Sequence, residues 1–161
     1  MKNILIPTDF SIKSLKLVSI VAEHFPNKEL NIILVHALEP DSSISGMLML
    51  SKRLKVNTLC SDEFRDACEV LRNKYASTIV KIKIEFYFGT SRFYRNNYLN
   101  ARQIDLIVFP TDYVLAAPSK HSVDMGKLFS NSGYPVLRHN LNVSKSKSFA
   151  DDNSLVALLQ A

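Results

Sequence analysis

Short apolar runs alternate with longer amphipathic segments along the chain. Most of the runs are apolar on both faces, which is typical of strands buried inside a parallel sheet. The strands predicted on this basis are 3–7, 30–40, 105–109 and 135–139. The run 80–88 instead alternates apolar and polar residues, which indicates one solvated face and a position at the edge of the sheet.

Apolar residues recur at helical spacing between these strands. The stripe after the capping residue Ser11 consists of Leu15, Val18, Ala22 and Phe25, and the stripe after Ser61 consists of Phe64, Cys68, Leu71 and Tyr75. Further helices are predicted from Thr90 or Ser91 to about Arg102 and over 123–131, with a turn or two of helix at 46–54. Strands that alternate with helices predict a parallel sheet covered by helices on both sides.

The composition suits one globular domain. The chain has 161 residues, of which 47% are apolar and 22% are charged. No apolar run approaches the roughly 20 residues that span a bilayer, and the first residues do not resemble a signal peptide. We therefore expect a cytoplasmic protein without a membrane partner, in which Cys60 and Cys68 are ordinary reduced thiols. Residues 140–161 are expected to form a polar linker and a short amphipathic helix or disordered tail.

The net charge of +5 raises the possibility of nucleic-acid binding. The basic residues are scattered, however, and the densest clusters are only 52–55 and 144–148. Basic and aromatic side chains interleave at Arg92, Tyr94, Arg95 and Tyr98, as they would on a single-strand binding platform. We favour an amphipathic helix whose long side chains cover the sheet edge, and we do not expect nucleic-acid binding.

Five sequence segments in the same order resemble the universal stress protein family over residues 1–139. They are "MKNILIPTDFS", "LVHALEP", "FYFGT", "QIDLIVF" and "YPVL". The resemblance implies a three-layer α/β/α Rossmann-like domain of the adenine-nucleotide alpha hydrolase-like kind. Its five-stranded parallel sheet would have the strand order 3-2-1-4-5. The resemblance also implies a role in stress response and a homodimer formed through the fifth strand, although "PVLRH" is more polar than the family's run there.

The glycine-rich loop of the ATP-binding family members is missing from this sequence. Those members carry G-x-x-G, about nine residues and G-[ST] after the fourth strand, since glycine lets backbone N–H groups approach phosphate oxygens closely. The three glycine positions fall here on Pro110, Tyr113 and about His121, and Ser122 matches the hydroxyl residue. Proline lacks an N–H donor and tyrosine is bulky. We therefore expect a degenerate ATP-binding loop with side chains filling the groove.

Other positions of the family's nucleotide groove are retained. Thr8 and Asp9 match the base- and ribose-facing positions, and Ala37 matches the position whose backbone meets adenine. Ser122, together with Lys120 and His121, could hold a smaller anion at a helix start. The complete set of candidate groove residues is Pro7, Thr8, Asp9, His36, Ala37, Pro110, Thr111, Tyr113, His121 and Ser122.

The sequence offers little support for catalysis or metal binding. The four histidines, His24, His36, His121 and His139, fall on different elements, and we expect His36 to satisfy a hydrogen bond in the core or at a strand end. Ser122 beside His121 lacks an identifiable third group.

We therefore expect a regulatory or interaction domain with no cofactor and no turnover, and with a protein partner that the sequence does not identify. The alternative is a sensor that binds ATP, AMP, a modified adenine nucleotide or another small ligand between strands 1 and 4. Such a sensor could hydrolyse ATP slowly.

Overall fold

The computed structural model describes residues 1–40 and 58–142. The helical turns expected at 46–54 and the tail from residue 143 onwards lie outside this range. In chain order the elements are β1 (Lys2–Pro7), a 3-10 helix (Ile12–Leu15), α1 (Lys16–His24), β2 (Leu30–Leu38), α2 (Asp62–Lys74), β3 (Ile79–Phe88), α3 (Arg92–Ala101), β4 (Leu106–Pro110), α4 (Met125–Ser130) and β5 (Val136–His139).

The five strands form one parallel sheet with the order β3-β2-β1-β4-β5. This confirms the expected α/β fold and its strand order. β1 pairs with β2 as far as Pro7 and Val35, but it pairs with β4 only at Ile4 and Leu5. β1 and β4 therefore part early, at the point where the chain switches from one half of the sheet to the other. Ligands of open α/β sheets bind at such a switch point.

Each face of the sheet packs against its own pair of helices. The first core joins Ile4 and Ile6 of β1 to the 3-10 helix, α1 and α2, and Phe64 is fully buried there. The second core joins Leu5 of β1 to α3 and α4, with Phe129 fully buried at its centre. Neighbouring side chains of one strand thus enter different cores, which explains why the central strands are continuously apolar.

Side-chain caps begin the 3-10 helix, α2 and α3 at the predicted residues. α4 instead begins at Met125 with Asp124 as its cap, so Ser122 does not lie at a helix start as expected. Ser11 accepts a hydrogen bond from the N–H of Ser14, and Ser61 accepts one from Phe64, both at 3.2 Å. Ser91 caps α3 in the same way. These bonds satisfy backbone donors that a helix start leaves unpaired. The first helix differs from expectation in one respect, because it begins as a 3-10 turn before α1.

The prediction for β3 is correct in its position and wrong in part about its solvated face. β3 lies at the sheet edge, and Lys81 is exposed. Tyr87, on the face expected to be wet, is only 4% exposed because α3 covers it, with the ring of Tyr98 at 5.2 Å. Glu85 on the same face accepts hydrogen bonds from Tyr98 (2.9 Å) and from Arg102 (2.8 Å). Glu85 is thus paired beneath α3, whereas the buried hydroxyl of Tyr87 has no hydrogen-bond partner among the described residues.

α3 does not present its basic and aromatic residues on a common surface. Arg92 and Tyr94 are exposed, whereas Arg95 is buried and donates to the carbonyl of Leu128 at 2.9 Å. Tyr98 is half-buried against the sheet. The arrangement is that of an amphipathic helix covering the sheet edge, as expected.

Both cysteines are free thiols and both are buried. Burial raises the pKa of the Cys68 thiol to about 12, with the nearby Cys60 as a second cause. A thiol with so high a pKa is unreactive at neutral pH. In the part of the chain that the structure describes, no helix is both long enough and apolar enough to cross a membrane.

Candidate functional site

Three chain segments meet at the carboxyl end of the sheet: residues 7–11 after β1, 36–39 at the end of β2, and 110–123 after β4. The last segment returns to lie antiparallel beside β2. Its carbonyl at His121 accepts from the N–H of Glu39 at 2.8 Å, and its N–H at Val123 donates to the carbonyl of Ala37 at 2.9 Å. It pairs with the end of β2 just beyond the point where β1 stops.

The carboxylate of Asp9 is surrounded by donors from its own chain. One oxygen accepts from the N–H of Ser11 at 3.0 Å and from the hydroxyl of Ser11 at 2.6 Å. The other oxygen accepts from the N–H of Ala116 at 2.9 Å and from the hydroxyl of Tyr113. We call these four residues the Asp9 cluster. The cluster joins the turn after β1 to the loop after β4.

These contacts determine the ionisation of Asp9. Burial opposes the charged form, but the hydrogen bonds from Ser11, Tyr113 and Ala116 together outweigh it and lower the pKa of Asp9 below its ordinary value of 3.8. Asp9 is only 5% exposed. A buried carboxylate at neutral pH is therefore held ionised by donors within the chain.

Tyr113 spans the crevice between the β1 and β4 segments. Its hydroxyl donates to Asp9 and lies 3.1 Å from the hydroxyl of Ser11. The ammonium of Lys13 lies 4.7 Å from the centre of the Tyr113 ring. Burial and the bond to Asp9 raise the pKa of the phenol, so Tyr113 stays protonated and keeps its role as a donor.

The turn after β1 is held by Thr8 and Phe10. The hydroxyl of Thr8 lies 2.8 Å from that of Ser14 and accepts from the N–H of Phe10 at 3.0 Å. Phe10 has a φ of 62°, in the left-handed region that side chains other than glycine rarely adopt. Its ring stacks on Phe86 with a centroid distance of 5.3 Å and lies 5.2 Å from the ring of His36. Ring packing therefore holds an unfavourable backbone conformation in place.

His36 is fully buried and uses both ring nitrogens. Nδ1 lies 2.7 Å from the carbonyl oxygen of Thr8, and Nε2 lies 2.9 Å from the hydroxyl of Ser122. A carbonyl can only accept, so Nδ1 carries the hydrogen and the neutral ring accepts at Nε2 from Ser122. The Ser122 hydroxyl also accepts from the N–H of Ser119 at 3.2 Å. We call His36, Thr8, Ser122 and Ser119 the His36 cluster.

The pKa of His36 is lowered from its ordinary value of 6.5. Burial is the main cause, while the bond to Thr8 and the nearby charge of Asp9 act in the opposite direction. His36 is thus neutral at physiological pH, in agreement with the tautomer that its hydrogen bonds require.

The remaining predicted residues lie around these two clusters. Pro7 and Pro110 are buried as the last residues of β1 and β4. Thr111 is exposed, and its N–H donates to the carbonyl of His139 on β5 at 2.9 Å. His121 is exposed, with Nδ1 4.0 Å from a carboxylate oxygen of Glu39. The structure therefore pairs Ser122 with His36, and not with its sequence neighbour.

Sequence reasoning found Ser11 as a helix cap but missed the hydrogen bonds that Ser11 and Ala116 donate to Asp9. The Asp-x-Ser spacing of Asp9 and Ser11 is a recognisable signal, because an aspartate commonly binds the backbone N–H two residues later. The bond from Ala116 to Asp9 joins residues 107 positions apart, and the pair His36–Ser122 joins residues 86 positions apart. Neither of these long-range contacts has a local sequence signal.

No protein-family model and no curated protein sequence matches the chain. Solved structures do. The hypothetical protein PH0823 is similar with a TM-score of 0.55 and 18% identity, over 91% of this chain and 99% of that one. Universal stress protein UspA from Lactobacillus plantarum has a TM-score of 0.53 and 19% identity, over 85% and 96% of the two chains.

A third similar structure is that of hypothetical protein MJ0577, with a TM-score of 0.54 and 19% identity over 89% of this chain and 98% of that one. Identities this low show a common fold and leave function to be argued from the site itself. The parallel sheet with the order 3-2-1-4-5 and helices on both faces therefore gives this chain the Rossmann-like α/β fold of the universal stress proteins.

Proposed function

We propose that the chain is a universal-stress-type regulatory or interaction domain whose nucleotide crevice is closed by its own side chains. It acts through binding a protein partner, without ATP and without turnover. The observation that carries the proposal is the Asp9 cluster, in which Tyr113 reaches across the crevice to a carboxylate that already has three other hydrogen bonds.

The saturation of Asp9 supports this proposal energetically. A ligand that used this carboxylate would have to displace Tyr113 or the N–H of Ala116. Each hydrogen bond to a charged group contributes about 1.5–3 kcal/mol to stability. The ligand's own bond to Asp9 would have to compensate for the bond that it displaces. A ligand therefore gains little at Asp9 unless it offers donors as good as those already present.

The backbone of Ala37 supports it as well. Its carbonyl accepts from the N–H of Val123, so this acceptor is already engaged by the loop after β4. The loop also carries Pro110 and Tyr113 where backbone amides and glycines would be needed against a phosphate tail. The residues after β4 therefore do not suit a triphosphate bound as in the ATP-binding members of the universal stress protein family.

The direct test is calorimetry and thermal unfolding of the full chain with ATP and with AMP, each with and without Mg²⁺. We expect no heat of binding and no stabilisation. A magnesium-dependent stabilisation by ATP that disappears in Asp9→Ala would overturn the proposal and favour the alternative of a nucleotide sensor. Binding that is unaffected by Asp9→Ala would point to a different site.

Two variants sharpen the result. Tyr113→Phe removes only the hydroxyl and leaves that oxygen of Asp9 with the single bond from Ala116, whereas Tyr113→Gly also removes the ring from the crevice. If the ring blocks the site, a nucleotide should bind Tyr113→Gly better than Tyr113→Phe. Lys81→Ala, on the exposed part of β3, is a matched surface control that should behave as the native chain does.

A homodimer in the cytoplasm is part of the same proposal. β5 occupies one end of the strand order, which leaves one side of it available for pairing with another copy. If residues 141–161 contribute to the dimer, their deletion should shift sedimentation from dimer to monomer. An unchanged mass would remove the tail from the interface.

A further inference from the structure

Ser122 and His36 form a pair that the proposed function does not use. The Ser122 hydroxyl lies 2.9 Å from Nε2 of His36, and the opposite nitrogen of the ring donates to the Thr8 carbonyl at 2.7 Å. A hydroxyl, a base and a group that orients the base are the three parts of an activated serine. We propose that Ser122 is a nucleophile that accepts an acyl group from activated carboxylic esters, with His36 as its general base.

The ring of His36 is well placed to act as this base. Its position is held by the bond to Thr8 and by contacts with the rings of Phe10 and Phe86, at centroid distances of 5.2 and 6.3 Å. Its neutral form, with the hydrogen on Nδ1, presents a lone pair to the Ser122 hydroxyl. Burial favours that neutral form by lowering the pKa of His36.

Ser122 keeps the capacity to attack. It is half-buried, in contrast with the fully buried His36 behind it. Its oxygen donates its hydrogen to His36 and accepts one bond, from the N–H of Ser119. A hydroxyl oxygen has two lone pairs, so one remains for an electrophile.

The step balances without any redox partner. The Ser122 oxygen forms a bond to the acyl carbon while its proton passes to Nε2 of His36. The bond from the acyl carbon to the leaving alcohol or thiol then breaks, and His36 returns the proton to that leaving group. The products are an ester on Ser122 and a free alcohol or thiol.

The orienting group limits the reaction to activated esters. Thr8 offers a neutral carbonyl, whereas a serine hydrolase commonly has a carboxylate at this position. A carbonyl stabilises the imidazolium less, so we expect acyl transfer only where the leaving group is good. We also expect the ester on Ser122 to persist, which makes the site a stoichiometric acceptor and agrees with a domain that has no turnover.

The test uses p-nitrophenyl acetate with the full chain. We expect one equivalent of nitrophenolate per chain, and an acetyl group on the tryptic peptide 121–127, in which Ser122 is the only serine. Fragmentation of the peptide separates acetylation of Ser122 from that of His121. Ser122→Ala should abolish the label, and His36→Gln should slow it by about 100-fold.

Ser130→Ala is the matched control, because Ser130 is also a half-buried serine, lies outside the His36 cluster and accepts a hydrogen bond from Arg138 at 2.7 Å. It should be labelled at the native rate. Labelling confined to His121 or to lysines, or an equal rate in His36→Gln, would overturn the proposal. Circular dichroism checks that His36→Gln is folded.

As a second measurement, Ser122 of the urea-unfolded chain should react no faster than other serines. Equal rates in folded and unfolded chains would also refute the proposal.

Discussion

The Asp9 and His36 clusters lie side by side at the carboxyl end of the sheet and differ in how completely they are satisfied. The carboxylate of Asp9 accepts four hydrogen bonds, all from its own chain. The ring of His36 makes two, and the second ends on the half-buried hydroxyl of Ser122. Thr8 links the two clusters, because its carbonyl accepts from His36 and Asp9 is the next residue in the chain.

The difference separates a structural polar group from a reactive one. A buried charge must be fully paired, and once it is paired it ties together the segments that supply its partners. A neutral imidazole can remain buried with two hydrogen bonds and still act as a base toward a more accessible hydroxyl. We propose that in this protein the charged cluster closes the crevice and that the neutral cluster leaves a nucleophile at its rim.

The largest expected effect belongs to Asp9. Asp9→Ala leaves the Tyr113 hydroxyl and the N–H groups of Ser11 and Ala116 without their acceptor, and we expect it to lower the free energy of unfolding by about 3 kcal/mol. Urea denaturation measures this. Asp112→Ala is the control, because that exposed carboxylate also accepts a backbone bond, from Leu141. A loss as large at Asp112 would remove the distinction between a buried cluster and an ordinary turn.

Tyr113→Phe should have the next largest effect. It removes one bond to Asp9 and leaves the others, so we expect about 1–2 kcal/mol of destabilisation. The pKa of Asp9 should rise, because the Tyr113 hydrogen bond is one of the causes that lower it. Acid denaturation monitored by fluorescence or circular dichroism reports both changes. If Tyr113→Phe unfolded with the same free energy as the native chain, the Tyr113 hydroxyl would not hold the crevice closed.

Acid should weaken the two clusters in different pH ranges. Folding lowers the pKa of His36 below 6.5, so the unfolded chain takes up a proton first and stability falls as the pH drops below about 6.5. Folding lowers the pKa of Asp9 below 3.8, so its contribution is lost only as the pH falls below that value.

Unfolding free energies measured across the acid range should therefore show two separate declines. The pKa of His24 is lowered as well, by burial and by His139, so this residue adds to the first decline. Each of the variants His24→Gln and His36→Gln should therefore remove part of the first decline and leave the rest. A flat profile between neutral pH and about pH 5 would contradict the assignment of a neutral, buried His36.

The smallest expected change in stability is that of Ser122→Ala. Ser122 is half-buried, and the substitution removes one neutral hydrogen bond to Nε2 of His36, so we expect a loss of about 1 kcal/mol. Labelling should disappear even though stability hardly changes. A loss as large as that of Asp9→Ala would indicate that Ser122 is primarily structural.

The strands and helices could be predicted because each carries its own periodic signal. Period-two alternation placed β3 at an edge, and serine caps placed the starts of α2 and α3. The strand order came from the family resemblance, and the structure has the same order. The solvated face of β3 was predicted wrongly at Tyr87, because a local pattern does not reveal that α3 covers an edge strand.

The sequence named candidate residues for the site and could not name their pairings. Pro110 and Tyr113 stood out because the family resemblance places glycine at their positions. The partner of Ser122 could not, since His121 is adjacent in sequence and yet exposed beside Glu39, whereas His36 lies on another strand.

The order of the residues along this chain thus determined which segments are buried, where α2 and α3 begin, and that no glycine lies between Asp105 and Gly126. Only the tertiary structure decided that Tyr113 reaches Asp9 and that His36 reaches Ser122. The physical reason is the range of the forces involved. Burial and capping act between residues a few positions apart, whereas a hydrogen bond across the end of a sheet depends on where three separate segments converge.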